Sequence, residues 1–408
     1  MVHNGNCARI MYESPSSKSK VPLPPVVSIA FVKDGDIWRI KEDGSEKKQL
    51  TKTADNESCL SYSYSKGRLW YIKTSTYMYE SVGVGDVWSI KMDGSDPKQI
   101  TRGIKARFVS VSPDGKKIAV SVVRERSDIE SLQGQPIETS DMWLMDAETT
   151  GQTASSSHID LSGDLKMSQV GGRDGATFAD WSSQSDKLVF TYKPDSSASV
   201  GISTKELYIV NTDGKDRKKI ATGVDYPSFL PNSESIAVAF GVHWDIMGLK
   251  IIDSSGTDQK EIEPIPTTIQ VSIGKPFAIW YQVDPQVLYV ASVQEGAGAT
   301  PGTTVYLADT KTGEKKALCF SPDVTDPFSI PSASVYTQRI VLQRGISGMQ
   351  GSNNATIWTV KLDGSELKQL TAGPDDTEPV LFEEKRTGGT NGTTNARNVF
   401  CHKLDIQK

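Results

Sequence analysis

The feature that most narrows what this chain can become is an internal repeat. The stretch DIWRIKEDGSEKKQLT, Asp36 to Thr51, returns as DVWSIKMDGSDPKQIT from Asp86 to Thr101 and as TIWTVKLDGSELKQLT from Thr356 to Thr371. Each copy holds a short alternating run, a D-G turn, a polar stretch and a terminal Gln-Leu/Ile-Thr. Weaker copies follow the same grammar: DMWLMDAETTG from Asp141, ELYIVNTDGKDRKKIAT from Glu206, GLKIIDSSGTDQKEI from Gly248 and TVYLADTKTGEKKAL from Thr304. The seven copies begin at positions 36, 86, 141, 206, 248, 304 and 356, so they lie 42 to 65 residues apart. Such a period marks an architecture in which each unit buries its apolar face against its neighbours.

Each copy reads as a hairpin. In DIWRIK, Ile37, Arg39 and Lys41 alternate with Trp38 and Ile40, the period of a strand. Asp43-Gly44 is a hairpin signal, because glycine takes the positive φ that the turn demands. The lysine-rich return, KKQLT, suits an outer edge that must resist strand-on-strand aggregation. Upstream of most copies lies another strand pair, as in RFVSVSPDGKKIAVSVV from Arg107 to Val123. Each unit is therefore four antiparallel strands, A to D, and the spacing matches propeller blades. The first copy lacks an A strand before VVSIAFVKDG, whereas an extra strand, Glu378 to Glu383, follows the last copy. Pairing these two closes the ring and removes its exposed edges. The expectation is an all-β fold: a single seven-bladed β-propeller over residues 26–384, closed by a C-terminal strand completing the first blade. Six blades remain the alternative if Gly248 to Val305 is shared differently. Residues 1–25, rich in Ser, Pro and Lys, read as a flexible tail. Residues 385–408 read as a Gly/Thr/Asn linker and a short C-terminal tail.

Charge and cysteine usage exclude some functions. The net charge is −5 with both signs mixed along the chain, which argues against a nucleic-acid binder held by a basic face. No apolar run approaches the ~20 residues of a membrane helix. Cys7, Cys59, Cys319 and Cys401 form no C-x-x-C. Cys7 and Cys401 can pair if the tails meet; four unpaired thiols are the plainer expectation. The first twenty residues carry no apolar signal core. Asn56, Asn354 and Asn391 stand in N-x-S/T sequons, which matter only in a host that glycosylates.

SPDGKKIAV, DMWLM and DGSDPKQIT together resemble the repeat of TolB-like β-propellers, shared by the propeller domains of prolyl-oligopeptidase-type enzymes. The resemblance covers Val26 to about Glu384 and is specific for fold rather than function. It implies an extracytoplasmic protein, periplasmic or secreted. The first 25 residues leave no room for the small α/β domain that precedes the TolB propeller. No G-x-S-x-G elbow of a peptidase occurs; GISGMQG at Gly345 has the wrong spacing. Oligogalacturonate lyases share a similar propeller and imply several histidines at the site, whereas this chain has His3, His158, His243 and His402.

Loop chemistry points to one face. The A–B and C–D turns are short and stereotyped, while most B–C loops are long and mutually unlike, and functional loops collect on one face of a rigid scaffold. Candidate ligand-binding residues there are Tyr77, Tyr79, Arg124, Arg126, His243, Trp244, Asp245, Gln343 and Arg344, of types enriched at binding hot spots. A second set starts the A strands at the channel mouth: Arg107, Asp225, Asp326 and Glu378. Mixed charge there suits a polar ligand, a peptide terminus or, through oxygen ligands, Ca²⁺, although no D-x-D-x-D-G loop exists. No other cofactor is expected. The expected function is a non-enzymatic, monomeric scaffold holding a protein, peptide or glycan. The alternative is an extracytoplasmic enzyme acting on a carbohydrate or peptide, with a carboxylate pair at the channel mouth.

Overall fold

The computed structural model describes residues 26–74, 84–130, 136–165, 175–194, 204–230, 234–243, 246–257, 259–263, 271–273, 277–279, 286–293, 302–321, 328–334, 339–345 and 354–384. Among them the regular structure is entirely β, and no helix is long and apolar enough to cross a membrane.

The chain opens with β1 (Val26–Lys33), β2 (Asp36–Lys41) and β3 (Lys48–Gln49). β4 (Asn56–Ser63), β5 (Arg68–Thr74), β6 (Asp86–Lys91) and β7 (Lys98–Gln99) make a four-stranded sheet in chain order. β8 (Ala106–Val111), β9 (Lys117–Glu130), β10 (Pro136–Asp146) and β11 (Ile159–Asp160) repeat that order, as do β12 (Gly175–Trp181), β13 (Lys187–Lys193), β14 (Glu206–Asn211) and β15 (Lys218–Thr222). These last two groups share one eight-stranded sheet, joined by a single parallel pairing of Ser140 with Gly175. β16 (Val224–Phe229), β17 (Ser235–His243), β18 (Ile246–Asp253) and β19 (Gln259–Glu263) form the next sheet. β20 (Val271–Ile273) and β21 (Phe277–Ile279) both pair with β22 (Gln286–Val293), followed by β23 (Gly302–Asp309) and β24 (Lys315–Ser321). β25 (Phe328–Ser334), β26 (Arg339–Arg344), β27 (Thr356–Lys361) and β28 (Lys368–Gln369) come last before β29 (Asp376–Glu384). β29 pairs antiparallel with β1, Val27 opposite Glu383 and Lys33 opposite Asp376, and so supplies the missing A strand of the first sheet. The result is a β-propeller. Its hydrogen-bonded sheets number six among the described residues, so the sheet count alone does not give the expected seven.

The wording of the repeat has a local cause at each end. At the turn, Asp43 Oδ1 accepts the Ser45 amide at 2.8 Å, and the same bond joins Asp93 to Ser95 and Asp363 to Ser365. Hydrogen bonds from the serine hydroxyl first, and from its amide second, hold all three carboxyls below the ordinary aspartate value. Gly44, Gly94 and Gly364 follow at φ of +87°, +86° and +83°, where a side chain would be strained. At the other end the first and last residues of a copy meet. Thr51 Oγ1 accepts the Ile37 amide at 2.7 Å, Thr101 accepts Val87 at 2.8 Å and Thr371 accepts Ile357 at 2.9 Å. Gln49 and Gln99 reach back to Asp36 and Asp86 at 2.8 and 3.3 Å. The first two copies therefore begin with Asp and end with Gln-x-Thr because those residues clasp the outer two strands together; in the third, which begins with Thr356, the Thr371 bond to Ile357 remains and Gln369 turns to the Thr371 carbonyl.

The outer strand is shorter than the sequence suggests: KKQLT pairs only through Lys48 and Gln49. Its lysines also do more than guard an edge. Lys48 Nζ donates to the Asp93 carbonyl of the next turn at 2.6 Å, Lys368 to Asp43 at 2.7 Å and Lys218 to Ser255 at 2.8 Å. Each bridges one unit to the turn of the next. Between the sheets lies a continuous apolar core that takes Leu60 and Tyr62 from β4, Val380 and Phe382 from β29, and Leu342 from β26.

Candidate functional site

The inner strands share a defect at one repeat position. Cys59-Leu60, Thr177-Phe178, Tyr226-Pro227, Ile330-Pro331 and Glu378-Pro379 each set two residues against one on the neighbouring strand, and Arg107 is one extra residue in β8. Bulges of this kind re-aim side chains. Cys59, Tyr226 and Glu378 hold φ of 61°, 52° and 53°, uncommon for residues other than glycine.

The re-aimed groups stitch one inner strand to the next. The Glu378 amide donates to Gln343 Oε1 at 3.0 Å, and Glu378 Oε2 accepts the Cys59 amide at 2.6 Å. The Val109 amide lies 3.3 Å from Cys59 Sγ, and the Val111 amide donates to Ser61 Oγ at 3.0 Å. Trp181 Nε1 donates to Ser110 Oγ at 2.8 Å, and the Phe229 amide to Asp180 Oδ2 at 2.8 Å. Glu378 and Gln343, expected in two separate sets, are thus brought together in one buried link.

The remaining candidates are spread around the ring. Asp225 is fully buried and ion-paired with Lys205. Arg107 donates to Ser140 Oγ at 3.3 Å. Arg124 pairs with the buried Asp141 at 2.8 Å and lies over the Trp143 ring, 5.8 Å from its centroid. Arg344 covers Trp358 at 5.1 Å, as Lys73 covers Trp88 at 5.1 Å. These two contacts recur on the tryptophan of the repeat, so they also serve packing. One of the B–C connections, Val123 to Ser140, is mostly strand rather than loop: β9 and β10 stay paired as far as Glu130 and Pro136. Arg124 and the backbone of Arg126 therefore sit on a hairpin, Gln343 and Arg344 end β26, and His243 ends β17. Tyr77, Tyr79, Trp244, Asp245 and Asp326 lie outside the described residues, as do Cys7 and Cys401. Cys59 and Cys319 are free thiols, and burial pushes Cys319 up to about 12. Among the described residues no group of three or more His, Cys, Asp or Glu is placed to hold a metal ion.

Sequence reasoning passed over Glu57. It is the second residue of β4, is 2% exposed, and burial raises its carboxyl to about 7. Its Oε1 accepts from Thr53 Oγ1 at 2.7 Å, and its Oε2 lies 3.1 Å from Thr51 Oγ1. A usable signal was present: Glu57 stands six residues past the terminal Thr of its copy, next to the clasp.

No protein-family model matches the chain, and no curated protein sequence does. Solved structures do resemble it. The β-propeller domain of the trilobed protease from Pyrococcus furiosus is 12% identical, with 87% of this chain and 97% of that one covered at a TM-score of 0.52. The periplasmic gluconolactonase of Pseudomonas aeruginosa is 11% identical, with 87% and 99% covered at 0.54. A TolB from Agrobacterium tumefaciens is 14% identical, with 72% and 89% covered at 0.44. At such identities the likeness is one of fold, and the fold hosts enzymes as well as proteins that are not enzymes.

Proposed function

We propose that the chain is a non-enzymatic binding scaffold, a seven-bladed propeller that holds a protein, peptide or glycan on the face where its B–C loops end. Two arguments support seven blades. The eight-stranded sheet divides into two four-stranded units at its single parallel pairing of Ser140 with Gly175. Inner strands also touch in succession: β29, β4, β8, β12, β16, β21, β25 and again β29.

The observation that carries the binding reading is the contrast between the two faces. The turn face repeats one device, an aspartate that accepts the amide two residues on: Asp43, Asp93 and Asp363 from serine, and Asp213 and Asp309 from lysine. On the opposite face the segments joining the B and C strands differ in length and chemistry from blade to blade. A rigid ring with one uniform face and one variable face concentrates recognition on the variable one. The proposed contact residues are Tyr77, Tyr79, Arg124, Arg126, His243, Trp244, Asp245 and Arg344, with Arg107 and Asp326 at the mouth; Gln343, Asp225 and Glu378 are buried and support the strands beneath that face.

The test is a paired substitution. Replacing Tyr77, Tyr79, Arg126 and Trp244 together by alanine abolishes binding to a glycan array or a defined co-purified partner, at unchanged Tm. Replacing the turn-face residues Lys215 and Glu314 leaves binding intact. Equal binding by both variants overturns the proposal.

A further inference from the structure

The clasp that ends the first repeat copy has one proton too few. Thr51 Oγ1 accepts the Ile37 amide and lies 3.1 Å from Glu57 Oε2 and 3.4 Å from Asp36 Oδ1. A hydroxyl has a single hydrogen to donate, so it cannot serve both carboxylates. Thr53 Oγ1 faces the same shortage between Glu57 Oε1 at 2.7 Å and the Asp55 carbonyl at 3.2 Å. Asp36 has other donors, the Gln49 amide group at 2.8 Å and the Thr53 amide at 3.0 Å. Glu57 has none beyond the two hydroxyls among its described hydrogen bonds.

We infer that the Glu57 side chain is a proton-operated latch between the first and second blades. As the neutral acid it donates to Thr51 Oγ1, which passes its own hydrogen to Asp36, so the two carboxyls no longer compete for it. On ionisation two carboxylates face one hydroxyl hydrogen, and the clasp loosens.

The surroundings agree with this arrangement. Lys73 stands opposite Glu57 in the β4–β5 register but pairs with Asp55 at 3.0 Å and lies over Trp88. Tyr71 on β5 is itself raised, by burial first and by the Glu57 charge second. On β1 and the β1–β2 turn, Lys33 is engaged with both Asp34 and Asp376. Glu378 on β29 is bound to the Cys59 amide, two residues along β4. Asp36 on β2 adds repulsion, and Lys73 offsets it in part. Burial is the largest cause and outweighs the lowering effect of the Thr53 and Thr51 hydrogen bonds, so the carboxyl stands above its ordinary value of 4.5, at about 7. A raised folded-state value means stability that is complete below the unfolded value and is lost as pH climbs through the folded one. The latch closes in mildly acidic surroundings and opens in mildly alkaline ones.

The structure contains its own control. Ile357 N to Thr371 Oγ1 and Asp376 N to Ala355 O repeat the contacts of Ile37 N to Thr51 Oγ1 and Glu57 N to Gly35 O. Amide hydrogen exchange, corrected for intrinsic rates, is compared at pH about 5.5 and about 8.5, either side of the transition. Expected is a loss of protection of at least about tenfold at Ile37 and Glu57 in the wild type, as a shift of more than one pKa unit requires. Ile357 and Asp376 should show no such step, and Glu57→Gln should be protected at both pH values. A wild type without the step, or a Glu57→Gln variant that retains it, overturns the latch. Should that variant fail to fold, carbon-13 NMR of the wild-type glutamate carboxyls decides. A Glu57 signal titrating in the ordinary carboxylate range overturns the inference, and one titrating near neutrality supports it.

Discussion

Asp376 and Glu57 occupy one position of the repeat and meet different fates. Asp376 is the first residue of β29 and Glu57 the second of β4, and each amide donates to the chain just before a C strand, to Ala355 and Gly35 respectively. Each stands opposite a lysine in the register, Lys33 and Lys73. In the first blade the lysine turns to the acid, and Lys33 Nζ lies 3.2 Å from Asp376. In the second, Asp55 and Trp88 draw the lysine away and the acid is left to two hydroxyls. Symmetry of the backbone fixes where a carboxyl sits. Its ionisation is decided by a competitor one or two residues away.

The comparison can be broken most forcefully from its ion-paired side. Lys33→Ala leaves Asp376 buried without its cation, and should cost about 3 kcal/mol in urea unfolding at neutral pH. A loss no larger than that of an average surface substitution would mean that the two seams are not held differently. A gentler change converts one seam into the other. Asp55→Asn frees Lys73 to approach Glu57, and the pH at which stability falls should move down by about one unit, since an adjacent cation favours the carboxylate. Thermal melts across pH read that midpoint, and an unmoved midpoint would show that Asp55 does not hold Lys73 away. The smallest effect tests what the seams share. Lys48→Met and Lys368→Met each remove an exposed bridge to the next turn. Each should lower Tm by about 1 °C, as exposed charged contacts do, and equally at both seams.

Much of the ring could be read from the residues. The copies beginning at Asp36, Asp86, Glu206 and Thr356 start β2, β6, β14 and β27 at those same residues. The strand expected at Glu378 to Glu383 lies within β29 and pairs where closure required. Alternation and D-G turns are local, and local signals survive in a single sequence. The electrostatic pattern was less legible because it depends on contacts across seams. Nothing in DNESCL distinguishes Glu57 from an exposed acid until Thr51 and Asp36 are brought to it. Arg124 and Arg344 carry the right chemistry for recognition, yet their places over Trp143 and Trp358 follow from the register of B and C strands. The extended β9–β10 hairpin was hidden because its polar residues resemble loop composition, while backbone pairing is indifferent to that polarity.

The union of β29 with β1 also sets an order of events. Val27 and Glu383 are neighbours in the sheet although nearly the whole ring lies between them in the chain. During synthesis the first blade must wait, three strands wide and with an open edge, until β29 has left the ribosome. Contacts of such separation are slow to form, and an unpaired edge is exposed in the interval. The ring is therefore completed only after its last blade, and a chain cut short after Thr371 would carry every repeat and still present that edge to its neighbours.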